Sequence, residues 1–94
     1  MKMPRIIGKF ALGRVVITPG AMSKVSPEEL FTCLLRHGSG DWGDLDEQDW
    51  RQNEAALEHG GRLFSRYRTR QGTKLYVITE HDRSITTILL PEEY

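Results

Sequence analysis

The sequence is poor in cysteine and proline, with one cysteine, Cys33, and four prolines, and it has no net charge. A single cysteine excludes an internal disulfide and an all-cysteine zinc site, and it favours a reducing, cytoplasmic location. Thirteen Lys and Arg residues against 13 Asp and Glu residues argue against a dedicated duplex-DNA-binding protein, which would need a basic excess. Lys9 and Arg14 interrupt the apolar residues near the start, so we expect neither a signal peptide nor a membrane span.

The length and composition are those of one ordinary globular domain. The chain has 94 residues, of which 38% are hydrophobic and 28% are charged. A domain of this size has room for one core only. We therefore expect a single domain over residues 1–94, with residues 1–8 as a candidate disordered segment.

The charges are segregated although they cancel in total. Residues 1–24 and 62–74 each hold five basic side chains and no acid, whereas residues 41–58 hold seven acids and one arginine. This pattern predicts an acidic lobe and a basic lobe. The two lobes either pack together and neutralise each other or remain free for partners, and the sequence favours neither alternative.

The first half of the chain contains one predicted strand and two predicted helices. Residues 9–18 are apolar and β-branched and end at a Pro-Gly dipeptide, which favours a turn. Ser26, Pro27 and Glu29 form a capping-box pattern that predicts a helix ending near Gly38 in a left-handed conformation. A glycine-rich loop follows, and a second helix is expected from about Asp46 to residue 59, capped by Asp44 or Asp46.

The last third of the chain predicts three strands, over residues 62–69, 74–79 and 84–90, joined by short polar connections. Short connections favour an antiparallel meander. The expected fold class is α+β: an antiparallel sheet, formed by this meander and the N-terminal strand at one edge, with two helices on one face.

Most patterns of a catalytic or metal site are missing. The sequence has no HExxH, CxxC, glycine-rich phosphate loop or G-x-S-x-G motif. The acids between residues 41 and 49 lack the spacing of an EF-hand. We therefore expect neither a metal nor a cofactor, and whether the protein is an enzyme stays open.

One constellation is compatible with metal-independent RNA cleavage. Arg66 and Arg68 alternate on one strand, Thr86 lies on the last strand, and His37 lies at the predicted end of a helix. If the strand faces coincide, these four residues would line a groove with an imidazole for proton transfer and arginines for the phosphorane charge. The alternative is that the arginines are an exposed face that pairs with the acidic helix.

A second constellation indicates protein binding. Asp41, Trp42, Asp44 and Asp46 place an aromatic ring among acids in a loop that offers little to bury it. Aromatic anchors surrounded by charge are common at interfaces. These four residues are the candidate partner-binding site.

Three segments carry a resemblance to a known family. The motifs SGDWGD (39–44), NEAALEHGGRLFSRYRT (53–69) and ITEHDRSITTILLPEEY (78–94) resemble those of small plasmid-related proteins encoded on bacterial plasmids and integrative elements. The resemblance covers residues 12–94 and implies no particular activity. The order of elements is also similar to barnase-like and RelE-like ribonuclease folds.

Two hypotheses follow. The first is a non-enzymatic accessory protein of a mobile element that binds a host or defence-system protein, including as an inhibitor that mimics nucleic acid with its acidic lobe. The second is a small ribonuclease, for which RNA is the partner.

Overall fold

The computed structural model describes residues 8–94 as an α+β fold. The elements, in chain order, are β1 (Arg14–Ile17), α1 (Pro19–Lys24), α2 (Pro27–Gly38), α3 (Glu47–His59), β2 (Leu63–Arg68), β3 (Lys74–Thr79), β4 (Ile85–Leu89) and a 3-10 turn (Pro91–Glu93). The strands form one sheet in the order β1-β4-β3-β2. Of the segment predicted to be disordered, residues 1–7 lie outside the described residues, while Gly8 packs directly on Gly38 of α2.

The sheet is mixed, so the expectation of a purely antiparallel sheet is wrong in one pairing. Strands β2, β3 and β4 form the predicted antiparallel meander. Strand β1 lies at the expected edge, but it runs parallel to β4, with Arg14 opposite Ile85 and Ile17 opposite Ile88. Parallel neighbours need a long crossover, and here the whole segment from α1 to β3 provides it.

The predicted cap of α2 is confirmed in its main part. The Ser26 hydroxyl accepts a hydrogen bond from the Glu29 N–H at 3.2 Å, and Pro27 occupies the first turn. The Glu29 carboxylate does not return this bond; it accepts the N–H of Arg70 at 3.0 Å instead. Val25 and Leu30 flank the cap and are both buried in the core.

Two local expectations before and after α2 are wrong. Pro19 and Gly20 begin a third helix, α1, and do not form a turn, because the Thr18 hydroxyl caps that helix by accepting the Ala21 N–H. Thr18-Pro19 repeats the Ser26-Pro27 pattern, which could have indicated this helix. Gly38 is still helical, and the left-handed residue after α2 is Gly40, with φ of 84°.

Helix α3 begins after its predicted cap, since the Asp46 carboxylate accepts the Asp49 N–H at 2.8 Å. Asn53 of α3 bonds both backbone groups of Phe64, with its amide donating to the carbonyl and its oxygen accepting the N–H. The loop before α3 pairs with the same strand, because Arg66 donates its N–H to Trp42 and its carbonyl accepts the N–H of Asp44. The β2 edge of the sheet is thereby covered.

The sheet has two different faces because side chains alternate along each strand. The helix-covered face carries buried side chains from the three meander strands: Leu63, Ser65, Tyr67, Leu75, Val77, Thr79, Thr86 and Ile88. The open face carries Phe64, Arg66 and Arg68 of β2 and Lys74 and Tyr76 of β3. The C-terminal residues fold back over part of this face, where the Tyr94 ring meets the rings of Phe64 and Tyr76.

Candidate functional site

His37 lies at the centre of a buried polar network between α2 and the helix-covered face. Its side chain is fully buried, with Nδ1 2.5 Å from the Ser65 hydroxyl and Nε2 2.9 Å from the Thr79 hydroxyl. Thr79 in turn contacts the hydroxyl of Thr86 at 2.7 Å. Phe10 and Trp42 pack edge-on against the imidazole at 5.4 and 5.5 Å between ring centres.

The hydroxyl chain places a proton on Nε2 of His37. Thr86 donates its proton to the Leu12 carbonyl oxygen at 2.6 Å, so it can only accept from Thr79. Thr79 has then used its proton and accepts the Nε2–H of His37. Nδ1 can then accept from the Ser65 hydroxyl, and a neutral imidazole satisfies every polar group of the network.

Electrostatics favour the same state. Burial, followed by the nearby positive charge of Arg83, lowers the pKa of His37 to about 3. A histidine with this pKa is uncharged near neutral pH. His37 does lie at the end of α2, as predicted, but its buried, neutral ring is not the groove-lining imidazole that was expected to transfer protons.

The groove proposed for RNA cleavage is not formed. Thr86 is buried on the helix-covered face, because it lies opposite Thr79 in the register of β3 and β4. Arg66 and Arg68 lie on the open face, on the other side of the sheet from His37. The sheet therefore separates the two arginines from the histidine and the threonine, and no groove contains all four.

Trp42 is also placed differently from the expectation. Its ring is fully buried, stacks on Phe10 and packs against His37, and its indole N–H donates to Glu54 at 2.7 Å. An exposed anchor at this position is therefore excluded. The local sequence did not predict that Trp42 is buried, because the residues that contact its ring, among them Phe10 and Glu54, belong to other segments of the chain.

The three acids of the candidate partner site have separate local roles. Asp41 forms a two-pronged pair with Arg36, which together with the N–H of Gly43 holds the pKa of its carboxyl below the usual value. Asp46 caps α3. Asp44 lies at the rim of the open face and forms no ion pair with any residue in the range 8–94.

A continuous apolar surface lies at the opposite edge of the sheet, where α1 and α2 meet β1. Its residues are Val15, Ile17, Met22, Phe31, Leu34 and Leu35. Met22 is 64% exposed and Phe31 is 58% exposed. Most of these residues line an apolar groove of about 420 Å³. Contiguous exposed apolar groups of this kind usually mark an interaction site.

Strand β1 adds an unpaired backbone edge to this apolar surface. Arg14 and Thr18 donate their N–H groups to Ser84 and Ile88 on the β4 side. Because hydrogen-bonding directions alternate along a strand, the backbone groups of Val15 and Ile17 point away from β4. Within residues 8–94 no strand pairs with that side of β1.

The open face carries a second concave surface, the cationic groove, of about 780 Å³ and lined by Asp44, Arg66, Arg68, Lys74, Tyr76 and Pro91. Lys74 and Tyr76 were not predicted as site residues. The short connection after Arg68 could have indicated them, because an antiparallel hairpin there places Lys74 opposite Arg68 and Tyr76 opposite Arg66.

In the part of the chain that the structure describes, no three His, Cys, Asp or Glu side chains converge closely enough to hold a metal ion. Cys33 is buried, and burial raises the pKa of its thiol, so it is a packed side chain and not an activated nucleophile. No helix among residues 8–94 combines the length and apolar character needed to cross a membrane.

Comparison of the chain with protein-family models, curated proteins and solved structures finds no match. The likeness to plasmid-related proteins and to ribonuclease folds therefore stays a prediction.

Proposed function

We propose that the protein is a non-enzymatic accessory protein of a mobile genetic element that binds a host or defence-system protein. The link to a mobile element rests on the three sequence motifs. The observation that carries the binding function is the unpaired edge of β1 beside the apolar surface.

The partner segment that fits this edge is extended. An added strand would bond the outward N–H and C=O groups of Val15 and Ile17, which is the usual mode of β-strand addition. Strand β1 has four residues, so it offers few backbone bonds. The affinity must therefore come from alternate apolar side chains of the partner, seated between Met22 and Phe31.

The acids of α3 provide a second contact. Glu47, Asp49, Glu54 and Glu58 are exposed along this helix, and they would face a basic region of the partner. Such charges mainly set the association rate and its salt dependence. If the bound segment of the partner is one that the partner needs for its own activity, binding would inhibit the partner, which would give the protein an anti-defence role.

Site-specific photocrosslinking in cells that carry the native gene tests the proposal. A photoreactive residue replaces Phe31 on the apolar surface, and a matched one replaces Gln71, which is exposed in the turn between β2 and β3, away from both proposed contacts. We expect crosslinks to a different protein from position 31 and none from position 71. Crosslinks only to a second copy of this chain, or none from position 31, would contradict the proposal.

Two substitutions identify the binding mode. Val15→Pro removes an outward N–H and leaves the bonds to β4 intact, which an edge strand tolerates; Val15→Thr keeps that N–H and is the control. We expect the crosslink at position 31 to disappear in Val15→Pro and to persist in Val15→Thr. Equal crosslinking in both variants would exclude strand addition.

A further inference from the structure

The cationic groove of the open face has a charge arrangement that the fold does not compensate. Arg68 and Lys74 lie directly opposite each other in the pairing of β2 and β3, and Arg66 lies two residues along on the same face. Like charges directly opposite on neighbouring strands destabilise a sheet. Among residues 8–94, Asp44 is the only acid that lines the groove.

None of these three cations is neutralised by another side chain in the region 8–94. The four ion pairs found there join Lys24 to Glu92, Arg36 to Asp41, Arg51 to Glu47 and Arg62 to Glu80. Arg66 donates to the backbone carbonyl of Asp44 at 2.8 Å, which leaves its charge uncompensated. The alternative that the basic strand pairs with the acidic helix α3 is therefore wrong for Arg66 and Arg68.

An aromatic ring completes the groove. Tyr76 lies opposite Arg66, is partly exposed, and contacts the rings of Phe64 and Tyr94 in T-shaped arrangements at 4.8 and 5.9 Å between ring centres. A flat ring beside guanidinium groups is a stacking platform for nucleic-acid bases. The guanidinium fork also matches the geometry of phosphate oxygens.

We propose that the cationic groove binds single-stranded RNA, with Arg66, Arg68 and Lys74 on the phosphates and a base stacked on Tyr76. The site is separate from the apolar surface at β1, and it does not include His37, which lies on the other side of the sheet. Duplex nucleic acid fits less well, since its bases are already stacked and cannot reach the ring.

The single acid of the groove favours RNA over its competitors. The Asp44 carboxylate forms no ion pair in the described structure, and it can accept a hydrogen bond from a ribose 2′-hydroxyl, which DNA lacks. An acidic peptide would have neither a 2′-hydroxyl to bond Asp44 nor a base to stack on Tyr76. The groove therefore favours RNA over DNA and over an acidic protein segment.

Fluorescence anisotropy with a labelled single-stranded RNA of about ten nucleotides tests the proposal on the full chain. Three phosphate contacts predict that log K falls with log salt with a slope of about −2, from about 0.7 per contact. Arg68→Ala/Lys74→Ala leaves one contact and a slope of about −0.7. The lost counterion release corresponds to about 25-fold weaker binding at about 0.1 M salt.

The control variant, Lys24→Ala/Arg51→Ala, removes the same net charge from other surfaces and should bind like the wild type. Tyr76→Leu should weaken binding about tenfold with an unchanged salt slope, because it removes stacking and no charge. Thermal melting checks the fold. We expect the Arg68→Ala/Lys74→Ala variant to melt no lower than the wild type, because it loses the like-charge pair. If the double variant does not fold, Lys74→Gln replaces it as the variant with reduced positive charge in the groove.

Three outcomes would overturn the proposal. The first is that a folded variant, either Arg68→Ala/Lys74→Ala or Lys74→Gln, binds RNA as tightly as the wild type does. The second is equal weakening in the Lys24→Ala/Arg51→Ala control, which would indicate non-specific charge attraction. The third is equal or tighter binding of a polyglutamate peptide or of the matched DNA. The crosslinking at Phe31 is unaffected by any of them, so the two proposals fail separately.

Discussion

Replacement of the buried imidazole, His37→Gln, should remove a specific pH dependence of stability. In the folded state the pKa of His37 is about 3, against 6.5 as its ordinary value. The folded pKa is the lower one, so between these values the unfolded chain binds more protons than the folded chain, and stability falls as pH falls. The stabilisation is fully present above pH 6.5 and is lost towards pH 3.

The magnitude follows from the two pKa values. Linkage with pKa values of about 3 and 6.5 gives a loss of about 2 kcal/mol between about pH 7 and pH 5. That is a large share of the total stability of a small domain, about 5 to 15 kcal/mol. The pKa values of Asp41 and Glu93 are also lowered, from 3.8 and 4.5, but their effect begins only near those values. The window above pH 5 therefore isolates His37.

Urea unfolding followed by tryptophan fluorescence is the assay, because Trp42 packs against the imidazole. Gln can donate and accept hydrogen bonds in the same network, but it does not titrate. We expect the stability advantage of the wild type over His37→Gln to shrink by about 2 kcal/mol between about pH 7 and pH 5. An advantage that stays constant over this range would refute the lowered pKa of His37 and its neutral buried state.

Two further predictions concern residues whose roles the structure assigns. Ser26→Ala should lower the free energy of unfolding by about 0.5 to 2 kcal/mol, since it removes the cap of α2; an unchanged urea midpoint would contradict this. Trp42→Ala should lower it by about 3 to 5 kcal/mol, the usual cost of deleting a buried aromatic ring, whereas an interface anchor would leave unfolding unchanged and weaken only binding.

Local signals in the sequence determined the starts of the main helices and the order of the meander. Ser26-Pro27 and Asp46 cap helices through backbone groups within three residues of them, so neighbours along the chain are sufficient to predict them. The strands of the meander were predicted for the same reason, since short polar connections favour antiparallel pairing of consecutive strands.

Which of the candidate site residues lie together was determined by packing between segments that are far apart in the chain. Alternation along β2 puts Arg66 and Arg68 on one face, but only register and helix packing determine that this face is open and that Thr86 lies on the other. His37 carries two polar ring nitrogens and Trp42 lies in a glycine-rich loop, so local sequence predicted neither as a core residue. Both are buried because residues from other segments cover the rings and satisfy their polar groups. Burial and strand pairing depend on contacts between residues far apart in the chain, and local composition does not encode them.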